Sequence, residues 1–454
     1  MKVTARRAQL HHQKALQLWK YYKWILWLAL SVFLFLTTST TSSTFSFLFH
    51  PLHLKPNLPA RALIEAREPS SSPLPKVYVY ELPSRYNKDW LSDPRCGSHL
   101  FASEVAIHEA LLGYPGRAVD PDDADFFFVP VYVSCNFSTP NGFPSLHHAR
   151  PLLSSAVDFV SSRFPFWNRS HGRDHVVVAS HDYGACFHAM EDVAMADGIP
   201  EFLERSIILQ TFGVRSPHPC QRAEHVLIPP YVPPGIEDER PAPEKARRNI
   251  FVFFRGKMEV HPKNVSGRFY GRRVRTEIWR RYNANPRFRL QRKRSGDYRA
   301  EMARSVFCLC PLGWAPWSPR LVESVALGCV PVIIADNIRL PFPEAVRWPE
   351  ISVTVAEADV GRLEATLDHV AATNLSAIQR NLWDPARRRA LLFHRPMEQG
   401  DATWHVLRAL EGMRPRRRLS RPRGGGANRH VEVARRSYTG SGHGRLRSHH
   451  EPVA

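Results

Sequence analysis

Cysteine is sparse in this 454-residue chain, with seven residues scattered from Cys96 to Cys329. Such spacing excludes a small disulfide-framework scaffold, which packs many bridges into a short secreted chain. Cys308 and Cys310 would point the same way from one strand. They make a poor mutual disulfide and, lacking a second pair, a poor zinc site, so both are expected in the core. One or two bridges are expected among Cys96, Cys135, Cys186 and Cys220. No segment recurs at a fixed period, which excludes a repeat array. Acidic residues are missing from positions 1–23, which carry Lys2, Arg6, Arg7, Lys14, Lys20 and Lys23, and no charged residue of either sign lies between Trp24 and Phe49.

That uncharged segment opens with the dense run WILWLALSVFLFL (24–36) and continues through Thr/Ser to FSFLF. Together they are long enough to cross a bilayer of about 30 Å. Positive charge before the span predicts a cytosolic N-terminus (1–23), a signal anchor (24–49) and a lumenal remainder. A cleavable signal peptide is the rival reading. The long basic lead and the lack of an A-x-A site favour an uncleaved anchor. The short apolar core suits a thin early-secretory membrane, so the reading is a type II Golgi protein. Residues 50–75, rich in Pro and Ser, read as a stem. Four sequons follow, at Asn136, Asn168, Asn264 and Asn374, each with Ser two residues on, as expected of a glycosylated lumenal chain.

The net charge of +20 is unevenly placed. Residues 247–304 hold eighteen Lys/Arg against Glu259, Glu277, Asp297 and Glu301, and the tail 412–454 holds eleven Arg against Glu432 and Glu451. Behind a membrane anchor, phosphate or an anionic sugar is a better partner for the stripe than nucleic acid. The tail has no apolar periodicity and reads as disordered.

From KVYVYELP (76–83) onward, apolar β-rich runs alternate with helical patterns, at 125–134, 175–180, 206–212 and 225–230, with a helix at 145–162. A Pro-rich charged connector (231–248) precedes a second series. There, strands at 249–254, 287–291, 306–310, 330–334 and 351–355 alternate with helices at 272–282, 297–304, 319–327, 360–371 and 376–393. This alternation predicts an α/β chain with two parallel-sheet lobes, 76–235 and 236–411, and a cleft between them.

The stretch from Ser305 to Ile334, SVFCLCPLGWAPWSPRLVESVALGCVPVII, reads as strand, Gly/Pro-rich loop, capped helix, turn and buried strand. Ser318 is the expected N-cap, Pro319 the first helical residue and Gly328 the left-handed C-terminal cap. Loop 311–317 would deliver phosphate to a helix start, where free N–H groups and the dipole favour it. Arg320 and Glu323, three apart, share one face, a cation for a diphosphate beside a carboxylate for a sugar diol. Glu early in a helix also satisfies the dipole alone. Arg255, Gly256 and Lys257 end the first strand of the second lobe, where open α/β sheets place ligands. Gly256 would let backbone approach phosphate, with Arg255 or Lys257 as counter-charge. A solvated strand-end pair is the plainer alternative.

The segments VYVYELP, ADFFFVPVY, GRDHVVVASHD, FFRGK, the CLCPLGW loop and SPRLVESVALGCVPVIIADNIRLPF resemble the exostosin-like glycosyltransferases over roughly residues 76–395. Within that family the chain is most similar to the plant glucuronoxylan members of the fragile-fiber and irregular-xylem type. The resemblance implies a GT-B fold of two Rossmann-like domains. It places the nucleotide sugar on the C-terminal domain and the acceptor mainly on the N-terminal one. It also implies a type II Golgi location, inversion at the anomeric carbon, and UDP-glucuronic acid as donor in xylan synthesis, with xylose as the alternative sugar.

Sugar transfer requires a stabilised leaving pyrophosphate and a deprotonated acceptor hydroxyl. No apolar strand is followed by D-x-D. The acidic cluster Asp120, Asp122, Asp123 and Asp125 precedes its strand and reads as a connector, so no metal or other cofactor is expected. Arg320 is assigned to the diphosphate and Glu323 to the ribose hydroxyls, the latter as in similar GT-B helices. His181 and Asp182, just after the strand HVVVAS, are the candidate bases, with Glu104 and His108 as weaker ones. A glucuronate carboxylate would want a further cation, and Arg272, Arg273, Lys263 and Arg268 are available. Two other functions stay open. One is a non-catalytic lumenal scaffold recruiting other Golgi transferases. The other is an anchored lectin holding anionic glycans through residues 247–304.

Overall fold

The computed structural model describes residues 73–138, 144–242, 246–258, 270–293 and 296–414. The expected cytosolic segment, the anchor, nearly all of the stem, the basic tail from 415, Asn264, Lys263 and Arg268 lie outside the described residues. Among the described residues no helix is long and apolar enough to cross a membrane.

Two five-stranded parallel sheets organise the chain. The first contains β1 (Val77–Val79), β2 (Phe126–Phe128), β3 (His175–Ala179), β4 (Ile207–Gln210) and β5 (Val226–Leu227), side by side in sequence order. The second contains β6 (Ile250–Arg255), β7 (Phe288–Gln291), β8 (Ser305–Pro311), β9 (Val330–Ile334) and β10 (Val353–Thr354), ordered β10-β9-β8-β6-β7. The sequence explains the parallel pairing. FFF of β2, HVVVA of β3 and VPVII of β9 are buried at every position, as strands covered by helices on both faces must be.

Several boundaries move for identifiable reasons. The helix expected at 272–282 begins at Val274, because Gly271, Arg272 and Arg273 all take positive φ (64°, 47° and 70°). The single helix expected over 376–393 is two, Leu375–Leu382 and Pro385–Arg389. Pro385 opens the second, and the Asp384 side chain accepts from Ala386 N at 2.9 Å.

The last described helix, Ala402–Glu411, falls in the second half of the chain, yet its residues Ala402, Val406, Leu407 and Leu410 pack into the core of the first sheet with Val77 and Ile107. The fully buried Asp401 side chain caps it, accepting from Trp404 N at 2.8 Å.

Three disulfides are present: Cys96–Cys135, Cys186–Cys220 and Cys308–Cys329. Cys308 lies in the core as expected, but bridged rather than as a free thiol. Its partner is the residue immediately before β9, which the β8–β9 pairing brings alongside, and only Cys310 remains a buried thiol.

Loops beyond the two sheets meet along a seam. Val214 pairs antiparallel with Ile338, flanked by Arg215 N to Asn337 O (2.7 Å) and Arg339 N to Gly213 O (2.9 Å). Phe101, Tyr183 and Phe212 from the first half pack with Ala315 and Trp317 from the second.

Candidate donor and base site at the seam

In the second sheet β7 and β8 lie on opposite sides of β6. The chain therefore reverses its winding there, and in open parallel sheets ligands bind outside the carboxyl ends of strands at such a point. Gly256, Lys257 and the loop Leu312–Trp317 occupy it. Gly256 is required by close approach. A Cβ there would stand 2.5 Å from Arg320 Nη2 and 3.1 Å from the Phe254 ring. Arg320 donates from Nε (3.2 Å) and Nη2 (2.7 Å) to the Arg255 carbonyl and from Nη1 to Ser318 Oγ (3.2 Å). The helix Arg320–Ala326 is capped at Pro319, one residue later than expected. The Ser318 hydroxyl still serves that helix start, accepting from Arg320 N at 3.3 Å. Gly328 has φ 70°, as its capping role requires.

Glu323 accepts a 2.6 Å hydrogen bond from the Tyr298 hydroxyl. The Lys257 ammonium lies over the Tyr270 and Trp314 rings, 4.7 and 5.3 Å from their centroids. Arg255 does not fit the expected counter-charge role. Its guanidinium is buried, donates to Glu301 and faces the Phe253 ring, so it acts in the core. Arg275, which carries no motif, does what the sequence could not reveal. It is buried and donates to the carbonyls of Leu312 (2.8 Å), Pro311 (3.0 Å) and Lys257 (3.3 Å), tying the loop to the strand end. Burial lowers its ionisation to about 10.

The first half contributes His181 and Asp182 immediately beyond β3. Trp317 Nε1 donates to the Asp182 carbonyl at 3.3 Å, and the neighbouring Tyr183 hydroxyl donates to the Trp314 carbonyl at 2.7 Å. The seam thus sets Asp182 directly against the residue preceding Ser318. Burial pushes the Asp182 carboxyl up to about 7, although its side chain keeps 18% of its accessible surface. Burial likewise pulls His181 down to about 3. His181 sits 3.5 Å from the Asp182 carboxylate under the Phe101 ring and is neutral at physiological pH. A carboxylate titrating near 7 beside solvent has the profile of a general base, and Asp182 is the better candidate of the two.

The weaker candidates are structural. Glu104 is buried and accepts from Val133 N (3.1 Å) and Ser134 N (2.8 Å), and His108 bonds the Tyr132 hydroxyl (2.7 Å). Arg272 spans the seam between Glu191 (3.7 Å) and Glu357 (3.6 Å), and Arg273 holds a left-handed conformation beside it. Of the described sequons, Asn168 and Asn374 are exposed, and Asn136 is half-buried with its side-chain oxygen accepting from Ser138 N at 3.1 Å. The acidic connector is a capped turn, Asp120 accepting from Asp122 N at 2.9 Å. Among the described residues no three His, Cys, Asp or Glu side chains come together as a metal ligand set.

Comparison with known proteins gives a concordant result. Residues 71–370 match the exostosin GT47 domain. A rice protein named "probable glucuronosyltransferase" is 69% identical over 345 residues, 75% of this chain and 81% of that protein. Two Arabidopsis thaliana proteins named "probable glucuronoxylan glucuronosyltransferase" are 61% identical over 402 residues (86% of each chain) and 66% identical over 339 residues (74% of this chain, 76% of that one).

Proposed function

This chain belongs to the exostosin GT47 family of glycosyltransferases, and on that premise we propose that it transfers glucuronic acid from UDP-glucuronic acid to xylan in the synthesis of plant secondary-wall glucuronoxylan. The observation that carries the reading is the bond from Trp317 Nε1, just before the Arg320–Glu323 helix, to the main-chain carbonyl of Asp182, which brings that residue to the second half. In GT-B terms the second sheet holds the donor and the first presents the base and the acceptor.

The chemistry follows from those placements. Asp182 takes the proton of an acceptor hydroxyl, whose oxygen attacks the anomeric carbon from the face opposite the leaving group. The carbon–oxygen bond to UDP breaks, and the configuration inverts. Negative charge developing on the leaving phosphate oxygen is met by Arg320. Three of the five N–H bonds of Arg320 are already held by Arg255 and Ser318, which fixes the guanidinium and leaves two for the diphosphate. Glu323 takes the ribose hydroxyls. No metal is called on.

Three disulfides suit an oxidising lumen. With the uncharged segment 24–49 they support a type II Golgi protein whose globular part is lumenal and N-glycosylated at Asn136, Asn168 and Asn374, with Asn264 as a fourth sequon. A scaffold role would predict survival of function without donor binding.

The test is the detergent-solubilised full chain incubated with UDP-glucuronic acid or UDP-xylose and xylo-oligosaccharides, with products read by mass. Gain of one glucuronosyl unit is expected. Gain of a pentosyl unit would reassign the donor, and absence of any product while UDP still binds would favour the scaffold.

A further inference from the structure

Tyr298 opens the short helix Tyr298–Ala303, and its ring packs against Phe253 of β6, 5.9 Å between centroids. Its hydroxyl reaches a different element, donating to Glu323 Oε2 at 2.6 Å. The phenol keeps its proton, because burial and then the adjacent Glu323 charge push its ionisation well above the ordinary value. The direction of the bond is therefore fixed: Tyr298 gives and Glu323 accepts.

A carboxylate that must receive two neighbouring hydroxyls has to present a defined plane. A Glu side chain held by nothing would surrender its rotamers on binding, and the affinity would fall accordingly. Here one carboxylate oxygen is tied to a ring wedged against the strand that ends at Arg255. The other oxygen, and the second lone pair of the tied one, remain able to accept.

We propose that Tyr298 is the positioning residue for nucleotide recognition: its hydroxyl orients Glu323 so that the carboxylate accepts from both ribose hydroxyls of a nucleoside diphosphate donor. This rests on the donor reading given above and adds to it a residue that need not touch the ligand. The plainer possibility is that the bond only staples two helices together, and the two differ in what they predict for ligands lacking one hydroxyl.

The experiment measures the affinity of the full chain for UDP, 2′-deoxy-UDP and 3′-deoxy-UDP by titration calorimetry, in the native sequence and in Tyr298→Phe, with melting temperatures in parallel. The native protein should prefer UDP to each deoxy analogue by about tenfold, the size of one hydrogen bond to a charged group. In Tyr298→Phe the preference should shrink towards unity, with UDP weakened about tenfold and the analogues little changed. Tyr298→Met fills the same space by different packing and must reproduce the collapse. A lower melting temperature with the tenfold preference intact would leave only the staple and overturn the inference. So would a native protein that binds UDP without preferring it to the analogues. Failure of the native protein to bind UDP at all would overturn the donor reading itself, and this inference with it.

Discussion

Arg320 donates twice, from Nε at 3.2 Å and from Nη2 at 2.7 Å, to the main-chain carbonyl of Arg255. The pair joins the start of a helix to the end of a strand 65 residues earlier and leaves the guanidinium standing directly over Gly256. A strand end, a glycine and a cation are thereby fixed to one another before any ligand arrives, which is the preorganisation that a charge-stabilising site needs.

Gly256→Ala is the smallest change that disturbs this arrangement. The new methyl would lie 2.5 Å from Arg320 Nη2, so the guanidinium must move off the carbonyl. UDP affinity should fall about tenfold or more, with a stability cost of about 1–2 kcal/mol. Gly235→Ala, where a Cβ meets nothing within 4 Å, serves as the control and should change neither. Calorimetric titration of both variants checks this. Unaltered UDP binding in Gly256→Ala would remove Arg320 from the diphosphate site.

Asp182 should govern the pH dependence of transfer. Its carboxyl, pushed up to about 7 by burial, must lose its proton to act, so kcat/KM should rise with pH through a limb near 7. Asp182→Asn should lower the rate by about 10² to 10⁴. Stability supplies an independent check. A carboxyl whose folded pKa lies above its unfolded value stabilises most below the unfolded pKa, and this contribution is lost as pH rises from about 4 to about 7. Asp182→Asn should therefore gain on the native protein across that window in urea midpoints. The buried histidines His108, His225 and His405, each pulled down to about 4, change native and variant alike and cancel in the comparison.

Arg255 should behave in the opposite way to Arg320. Its guanidinium is buried against one oxygen of Glu301, whose other oxygen stays paired with Arg289. Arg255→Met leaves one buried acceptor oxygen without its donor and should cost about 1–3 kcal/mol of stability. Any loss of activity should track the folded fraction, whereas Arg320→Ala should keep its fold and lose UDP. Denaturation midpoints set beside donor affinities separate the two.

These contrasts mark where the sequence was readable. Runs such as HVVVA and VPVII announce buried parallel strands, and Ser318, Pro319 and Gly328 announce a helix and its ends, because the determinants are local. The pairing of Cys308 with Cys329, the return of helix 402–411 to the first sheet and the left-handed run Gly271–Arg273 depend on partners far along the chain. Charge shows the same limit. Counting makes residues 247–304 a basic stripe, yet Arg287 pairs with Glu364 and Asp368, Arg299 with Glu239 and Arg272 with Glu191 and Glu357. Part of the stripe is neutralised by acids that other segments bring to it, which weakens the case for a polyanion-binding lectin. Arg320, Glu323 and Asp182 stand out from their neighbours in sequence as candidates, while Arg275 and Tyr298 act through bonds spanning 36 and 25 residues.

Glu104 offers the last test, because its chemistry imitates that of a catalytic acid while its geometry does not. Burial pushes its carboxyl up to about 8, the kind of shift that often marks an active site. Its oxygens, however, face the amides of Val133 and Ser134 beside the Cys96–Cys135 bridge, and Ser134 in turn bonds Ser180 (3.2 Å), which leads into His181. Glu104→Ala leaves two buried N–H groups without their acceptor, at a cost of about 1–3 kcal/mol for each. The folded pKa is again the raised one, so the stabilisation from Glu104 is lost as pH rises from about 4.5 to about 8. The gap between native protein and variant in urea midpoint should therefore be wider at acid pH than at alkaline pH. Transfer by the folded variant should stay within a few-fold of native. A variant that folds normally at every pH and transfers no sugar would move Glu104 from the scaffold into the reaction.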